Sequence, residues 1–203
     1  MQPPPPRLGF DNYALRALGW KARQLLDHAA ALKLDAVLFS DFDVYESLAD
    51  DALRELKHRA DDLGLQLYAG MLSICPSSVI FDARRGSAAE QLRLCLRIAK
   101  LLGSPVARCV LGKVEDRRSA GGIAARIDET LAVLRTVRSE AMDAGIKIAV
   151  ENHAGDMDST ELLELIDAAG RDFVGATLDT GNALWALEEP LTALETLGPV
   201  TPV

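Results

Sequence analysis

Basic charge is scarce in this sequence, and so are histidine, cysteine and aromatic residues. Lys and Arg number 22 against 30 Asp and Glu, which leaves a net charge of −8 over 203 residues. A phosphate backbone is gripped by clustered Lys and Arg, so this balance excludes a general nucleic-acid binder. The basic pair Arg117 and Arg118 follows directly on Glu115 and Asp116 and reads as solvated loop. The three cysteines, Cys75, Cys95 and Cys109, lack metal-ligand spacing and read as small buried hydrophobes in a reducing compartment. No apolar run approaches the roughly 18 residues of a membrane span, and the start M-Q-P-P-P-P-R has no apolar h-region. The expectation is a soluble, cytoplasmic protein with no membrane partner.

Hydrophobic residues make up 49% of the chain, enough to bury one substantial core. Residues 1–203 are expected to form one domain, with 1–6 as a Pro-rich flexible lead-in. Short β-type runs at 7–10, 35–40, 65–71, 105–112, 146–151 and 173–179 alternate with helical periodicity at 20–32, 49–63, 88–102, 123–144, 159–170 and 188–197. Five helical segments stop at a glycine: Gly64, Gly103, Gly145, Gly170 and Gly198. This repeated βα pattern predicts parallel strands joined by right-handed crossovers. Polar residues on one face of the third, fifth and sixth strands favour a barrel interior over a flat sheet covered on both sides. Val200 to Val203 reads as the start of a seventh strand.

Ile146 to Asn182 organises the chain. I-K-I-A-V-E-N-H ends a strand on Glu151, a helix follows, and F-V-G-A-T-L-D-T-G-N ends the next strand on Asp179. Alternation puts Glu151 on one face with Lys147 and Ala149, and Asp179 with Gly175 and Thr177. In parallel neighbours the two carboxylates come close, and their repulsion is relieved by a divalent cation or a shared proton. Asp41 and Asp43, after the second strand, either line a pocket or cap turns. Arg108 sits within the fourth strand, where a buried guanidinium needs either an acid from a neighbouring strand or an anionic substrate.

The motifs E-N-H-A-G-D-M and D-T-G-N, with R-C-V-L-G at Arg108 to Gly112, resemble the sugar phosphate isomerase/epimerase family, whose members share the xylose isomerase-like (β/α)8 TIM barrel. The resemblance implies an incomplete barrel here, with about six βα units present and the last two strands lacking. That expectation makes the chain a fragment, a truncated product or a chain completed by a partner. It also implies that Glu151 and Asp179 bind a divalent metal, Mn²⁺ or Mg²⁺ by their oxygen ligands, with Zn²⁺ or Co²⁺ open if a His joins. The His and Glu that complete the family's ligand set have no counterpart in this sequence. Endonuclease IV-type enzymes use the same barrel with several metal-binding histidines, and three histidines in the whole chain fit them poorly.

By the same resemblance the activity is isomerisation or epimerisation of a sugar or sugar phosphate through a cis-enediolate. Glu151 serves as ligand and catalytic base, and His153, Asn182 and Arg108 contact substrate. Two rivals stand beside it: a non-catalytic barrel remnant acting in binding or assembly, and a lyase or dehydratase acting on a polyol. A homo-oligomer is compatible with either.

Overall fold

The strands carry buried aliphatic side chains on a common face, and each is followed in the chain by a helix. Strands lying side by side with helices over their aliphatic face bury that surface without stranding backbone polar groups. The computed structural model describes residues 6–202 and has this arrangement; the Pro-rich lead-in lies outside the described residues except for Pro6. The strands are β1 (Gly9–Asp11), β2 (Ala36–Phe39), β3 (Gln66–Ser73), β4 (Val106–Val110), β5 (Lys147–Glu151) and β6 (Val174–Thr177). Between and after them run α1 (Ala22–Ala31), α2 (Asp50–Asp62), α3 (Ala88–Leu102), α4 (Gly122–Thr136), α5 (Arg138–Ala144), α6 (Ser159–Ala169) and α7 (Pro190–Leu197).

The sheet is parallel throughout, in the order β1-β2-β3-β4-β5-β6. A doubly wound sheet reverses its strand order once, at a switch point; this one never does. All crossovers advance in one direction, which is the winding of a TIM-type barrel. Val37, Phe39, Leu67, Ala69, Ala107, Cys109, Ile148, Val150, Val174 and Ala176 make the helix-covered face, all buried. The opposite face carries Tyr68, Gly70, Arg108, Ala149, Glu151 and Gly175. The barrel is not closed among the described residues: β1 and β6 each pair on one side only. A cavity of about 550 Å³ opens beside β1, lined by Arg7, Phe10, Asp11, Leu38 and Tyr68.

Three expectations are corrected. The helix expected over 123–144 is two helices, broken at Val137 (φ −114°, ψ 7°). Thr136 Oγ1 donates back to the Val133 carbonyl at the break (2.7 Å), a bond that competes with the helical ladder. No seventh strand begins at Val200 among the described residues; Gly198–Val200 form a 3₁₀ turn, and Gly198 has an ordinary right-handed conformation. The sixth strand stops at Thr177, so Asp179 lies two residues beyond it. No helix of the described residues is long and apolar enough to cross a membrane, and all three cysteines are buried and free.

Candidate active site

Arg108 and Glu151 lie on the inner face of adjacent strands. Register places Arg108 opposite Ala149 and, on its other side, opposite Gly70. Small residues on both flanks leave the long side chain room: a Cβ at Gly70 would stand 3.2 Å from Arg108 Cδ. The guanidinium reaches up the barrel to Glu151, with Nε donating to Oε2 at 2.7 Å and Nη1 to the Met71 carbonyl at 3.1 Å. The side chains are only 5% and 9% exposed, so neither charge has water to fall back on. Burial alone would lower the Arg108 pKa, but the Glu151 carboxylate outweighs it and the net shift is upward. Of the two partners open to Arg108 in the sequence, the structure shows the acid. Glu151 Oε2 is thereby committed, while Oε1 receives only a long bond from Asn182 Nδ2 at 3.4 Å.

Asp179 is placed differently. Its Oδ1 accepts from the Gly181 and Asn182 N–H groups (2.8 and 3.0 Å), capping the 3₁₀ turn Asn182–Ala186. Its backbone is clamped by Asn152, whose Oδ1 accepts from the Asp179 N–H and whose Nδ2 donates to the Asp179 carbonyl, both at 2.8 Å. Asn152 thus extends the β5–β6 pairing past the end of β6 by a side chain. Asp41 likewise caps a turn, accepting from the Asp43 and Val44 N–H groups, and accepts from Asn12 Nδ2.

Gly112, just past β4, is where three loops meet. Its N–H donates to Asp156 Oδ2 at 2.9 Å and its carbonyl faces His153 Nδ1 at 2.7 Å. A Cβ at Gly112 would lie 2.1 Å from Asp116 Oδ2, so only glycine fits. Asp116, fully buried, takes bonds from Ser78 Oγ and from the Val79 and Lys113 N–H groups. Asp156, also fully buried, takes the His153 and Met157 N–H groups on Oδ1. Burial pushes its pKa up to about 7, with the Glu151 charge adding to the rise, against the pull of three backbone N–H donors.

Two carboxylates fit a hard divalent cation in kind and fall short in number. Among the described residues no group of three or more His, Cys, Asp or Glu side chains is placed to hold a metal ion. The structure therefore brings Arg108, Glu151 and Asn182 into one bonded group, sets Asp179 beside it through Asn152, and places His153 in a separate group with Gly112 and Asp156. Sequence patterning assigns no role to Asn152, Asp156 or Gly112. No turn rule marks Asp156, since an Asx turn bonds the backbone two residues ahead and Asp156 accepts from the His153 N–H three residues behind.

A family model described as the xylose isomerase-like TIM barrel matches residues 26–199. A curated relative, the 3-oxo-isoapionate decarboxylase of Pectobacterium atrosepticum, is 27% identical over 171 residues, covering 84% of this chain and 54% of the relative. The chain thus spans about half the length of that relative. Among solved structures, a D-psicose 3-epimerase in the presence of D-fructose superposes with a TM-score of 0.74 at 18% identity, over 97% of this chain and 71% of the other. The IolI protein with a bound zinc atom superposes at 0.72 and 17% identity, over 94% and 68%. At such identities the structural likeness speaks for the fold, and the family match over residues 26–199 carries the assignment: this chain belongs to the xylose isomerase-like TIM-barrel family.

Proposed function

We propose that β5 and β6 of this chain carry active-site residues of a divalent-metal-dependent isomerase or epimerase acting on a sugar or sugar phosphate. The observation that carries this reading is the state of Glu151, a buried carboxylate at the mouth of the barrel with one oxygen fixed and the other nearly free. Arg108 holds Oε2 in place; Oε1 takes the proton from the carbon beside the substrate carbonyl. Asn182 orients that oxygen from the β6 side. A divalent ion held by Glu151, Asp179 and ligands beyond these two, Mn²⁺ first by donor type, would offset the negative charge that develops on the substrate oxygens.

A second reading is favoured by the decarboxylase relative. Loss of CO₂ from a 3-oxo acid leaves an electron pair beside a carbonyl, the same kind of anion that an isomerase makes by removing a proton. The two chemistries diverge at Glu151: proton abstraction needs the base, and carbon–carbon cleavage does not. The deciding experiment incubates ketoses and 3-oxo sugar acids in D₂O with the protein from its native source and Mn²⁺. Deuterium entering beside the carbonyl, and lost in Glu151→Gln, supports the isomerase or epimerase. CO₂ release that survives Glu151→Gln supports the lyase. Neither reaction, together with no bound metal, leaves the non-catalytic binding module.

A further inference from the structure

The loop after β5 contains one ring nitrogen that the fold uses and one that it does not. His153 Nδ1 stands 2.7 Å from the Gly112 carbonyl. A carbonyl only accepts, so Nδ1 carries the proton. Nε2 has no protein partner among the described hydrogen bonds. That nitrogen is not sealed in the interior.

The Gly112 carbonyl is held in place by Asp156. Oδ2 receives the N–H of the same glycine, and Oδ1 receives the N–H of His153 itself at 3.0 Å and of Met157 at 2.6 Å. One carboxylate therefore fixes both ends of the His153–Gly112 bond, from the exit of β5 and from the exit of β4. Further bonds hold the same loop. The Val114 N–H donates to the Ala154 carbonyl at 2.9 Å, and Arg117 Nη1 donates to the Asp156 carbonyl at 2.8 Å while pairing with Glu161. Ala154 is kept at φ +47°, a conformation that a non-glycine residue holds only when its surroundings impose it.

We propose that Asp156 is a positioning residue that fixes His153 as the Nδ1–H tautomer and so presents Nε2 to the barrel mouth as a hydrogen-bond acceptor. An acceptor there complements a substrate hydroxyl, a group with a proton to give, and not a fully ionised phosphate. That use rests on the proposed sugar chemistry of the rim; the tautomer does not, and it is read without substrate, metal or turnover.

The test is long-range ¹H–¹⁵N correlation of the imidazole rings at one fixed, mildly alkaline pH. The chain has three histidines, His28, His58 and His153, so a His153→Gln spectrum assigns the signal. The expected wild-type pattern is a protonated Nδ1 and a bare Nε2. In Asp156→Asn the Oδ1 acceptor remains but the Gly112 bond is lost, so the ring signals move toward a tautomer mixture. The Gly112 amide then exchanges faster by on the order of tenfold, the loss of one charge-assisted bond. A wild-type ring protonated on Nε2 overturns the proposal with no variant needed. A folded Asp156→Asn whose His153 signals do not move overturns the positioning role and leaves Asp156 a stabiliser of the loop alone.

Discussion

Glu151 and Asp179 look alike in the sequence, each an acid at the end of an apolar run, yet the structure treats them oppositely. Glu151 is the last residue of its strand, buried, and matched by a guanidinium from the next strand. Asp179 is two residues past its strand, half-buried, and uses one oxygen to cap its own loop. The difference comes from which neighbour is available at each strand end. Among the described residues β5 lies between β4 and β6 and recruits Arg108 across the sheet, whereas β6 pairs with β5 alone and its exit is tied down by Asn152. The carboxylate within its strand is met by another charge, and the one past its strand end is met by backbone N–H groups.

The sharpest way to break the contrast is Arg108→Met. Removing one partner of a buried pair leaves the other charge without water or counter-ion, and costs about 3–5 kcal/mol. Urea unfolding reads this directly, and the double variant Arg108→Met, Glu151→Leu should regain most of the loss. A single variant within 1 kcal/mol of wild type, on the order of the effect of an exposed pair, would mean that Glu151 is solvated after all.

Stability against pH separates the interior from the surface next. Asp156 has a folded pKa near 7, against about 3.9 when unfolded. The folded state therefore holds this proton more tightly. Its contribution is complete below about pH 4 and is lost as pH rises through 7. The Glu151 charge adds to that rise, and Arg117 and the His153 N–H hold the Asp156 loop around the group. Glu129 and Glu161, whose pKa values are lowered, act the other way, losing their stabilisation as pH falls through the acid range. Thermal unfolding should show a maximum between these windows, and Asp156→Asn should flatten the limb from pH 4 to 7. A limb unchanged by that substitution would remove Asp156 as its source.

Asn152→Ala tests the tie at the edge itself. Two side-chain bonds to the Asp179 backbone disappear, which costs on the order of 1–2 kcal/mol. Hydrogen exchange should quicken at Asp179 to Asn182 while β4 stays protected. Equal quickening in both places would show that the two strand ends are not independent.

Much of this architecture is legible in the sequence because it is local. Gly103 and Gly145 close helices in the left-handed conformation, and period-two patterning puts Glu151 on the inner face. The break at Val137 is hidden because Leu131, Leu134, Val137 and Ala141 continue one buried stripe across it. At β6 the apolar run goes on through Leu178, so hydrophobicity alone places the strand end too late. The ties at Gly112, Asp156 and Asn152 are illegible for a deeper reason. Each joins a side chain to backbone some 27 to 44 positions away, and no spacing rule within one strand or helix encodes such a partner.

Asp179→Asn is the smallest perturbation of the fold and the most informative about the site. An asparagine keeps an oxygen to cap Gly181 and Asn182, leaves the Asn152 clamp untouched, and removes a negative charge near Glu151. Stability should change by no more than about 0.5 kcal/mol, the range of substitutions away from the core. Metal affinity, measured by calorimetric titration of Mn²⁺ into the protein from its native source, should fall by at least about tenfold, or 1.4 kcal/mol, because a charged oxygen ligand has been exchanged for a neutral one. If stability drops and metal affinity does not, Asp179 is a capping residue and the ligand belongs elsewhere. If affinity drops alone, the edge carboxylate is held half-free by its loop so that its other oxygen can bind a cation, while Glu151, locked by Arg108, supplies the fixed side of the same site.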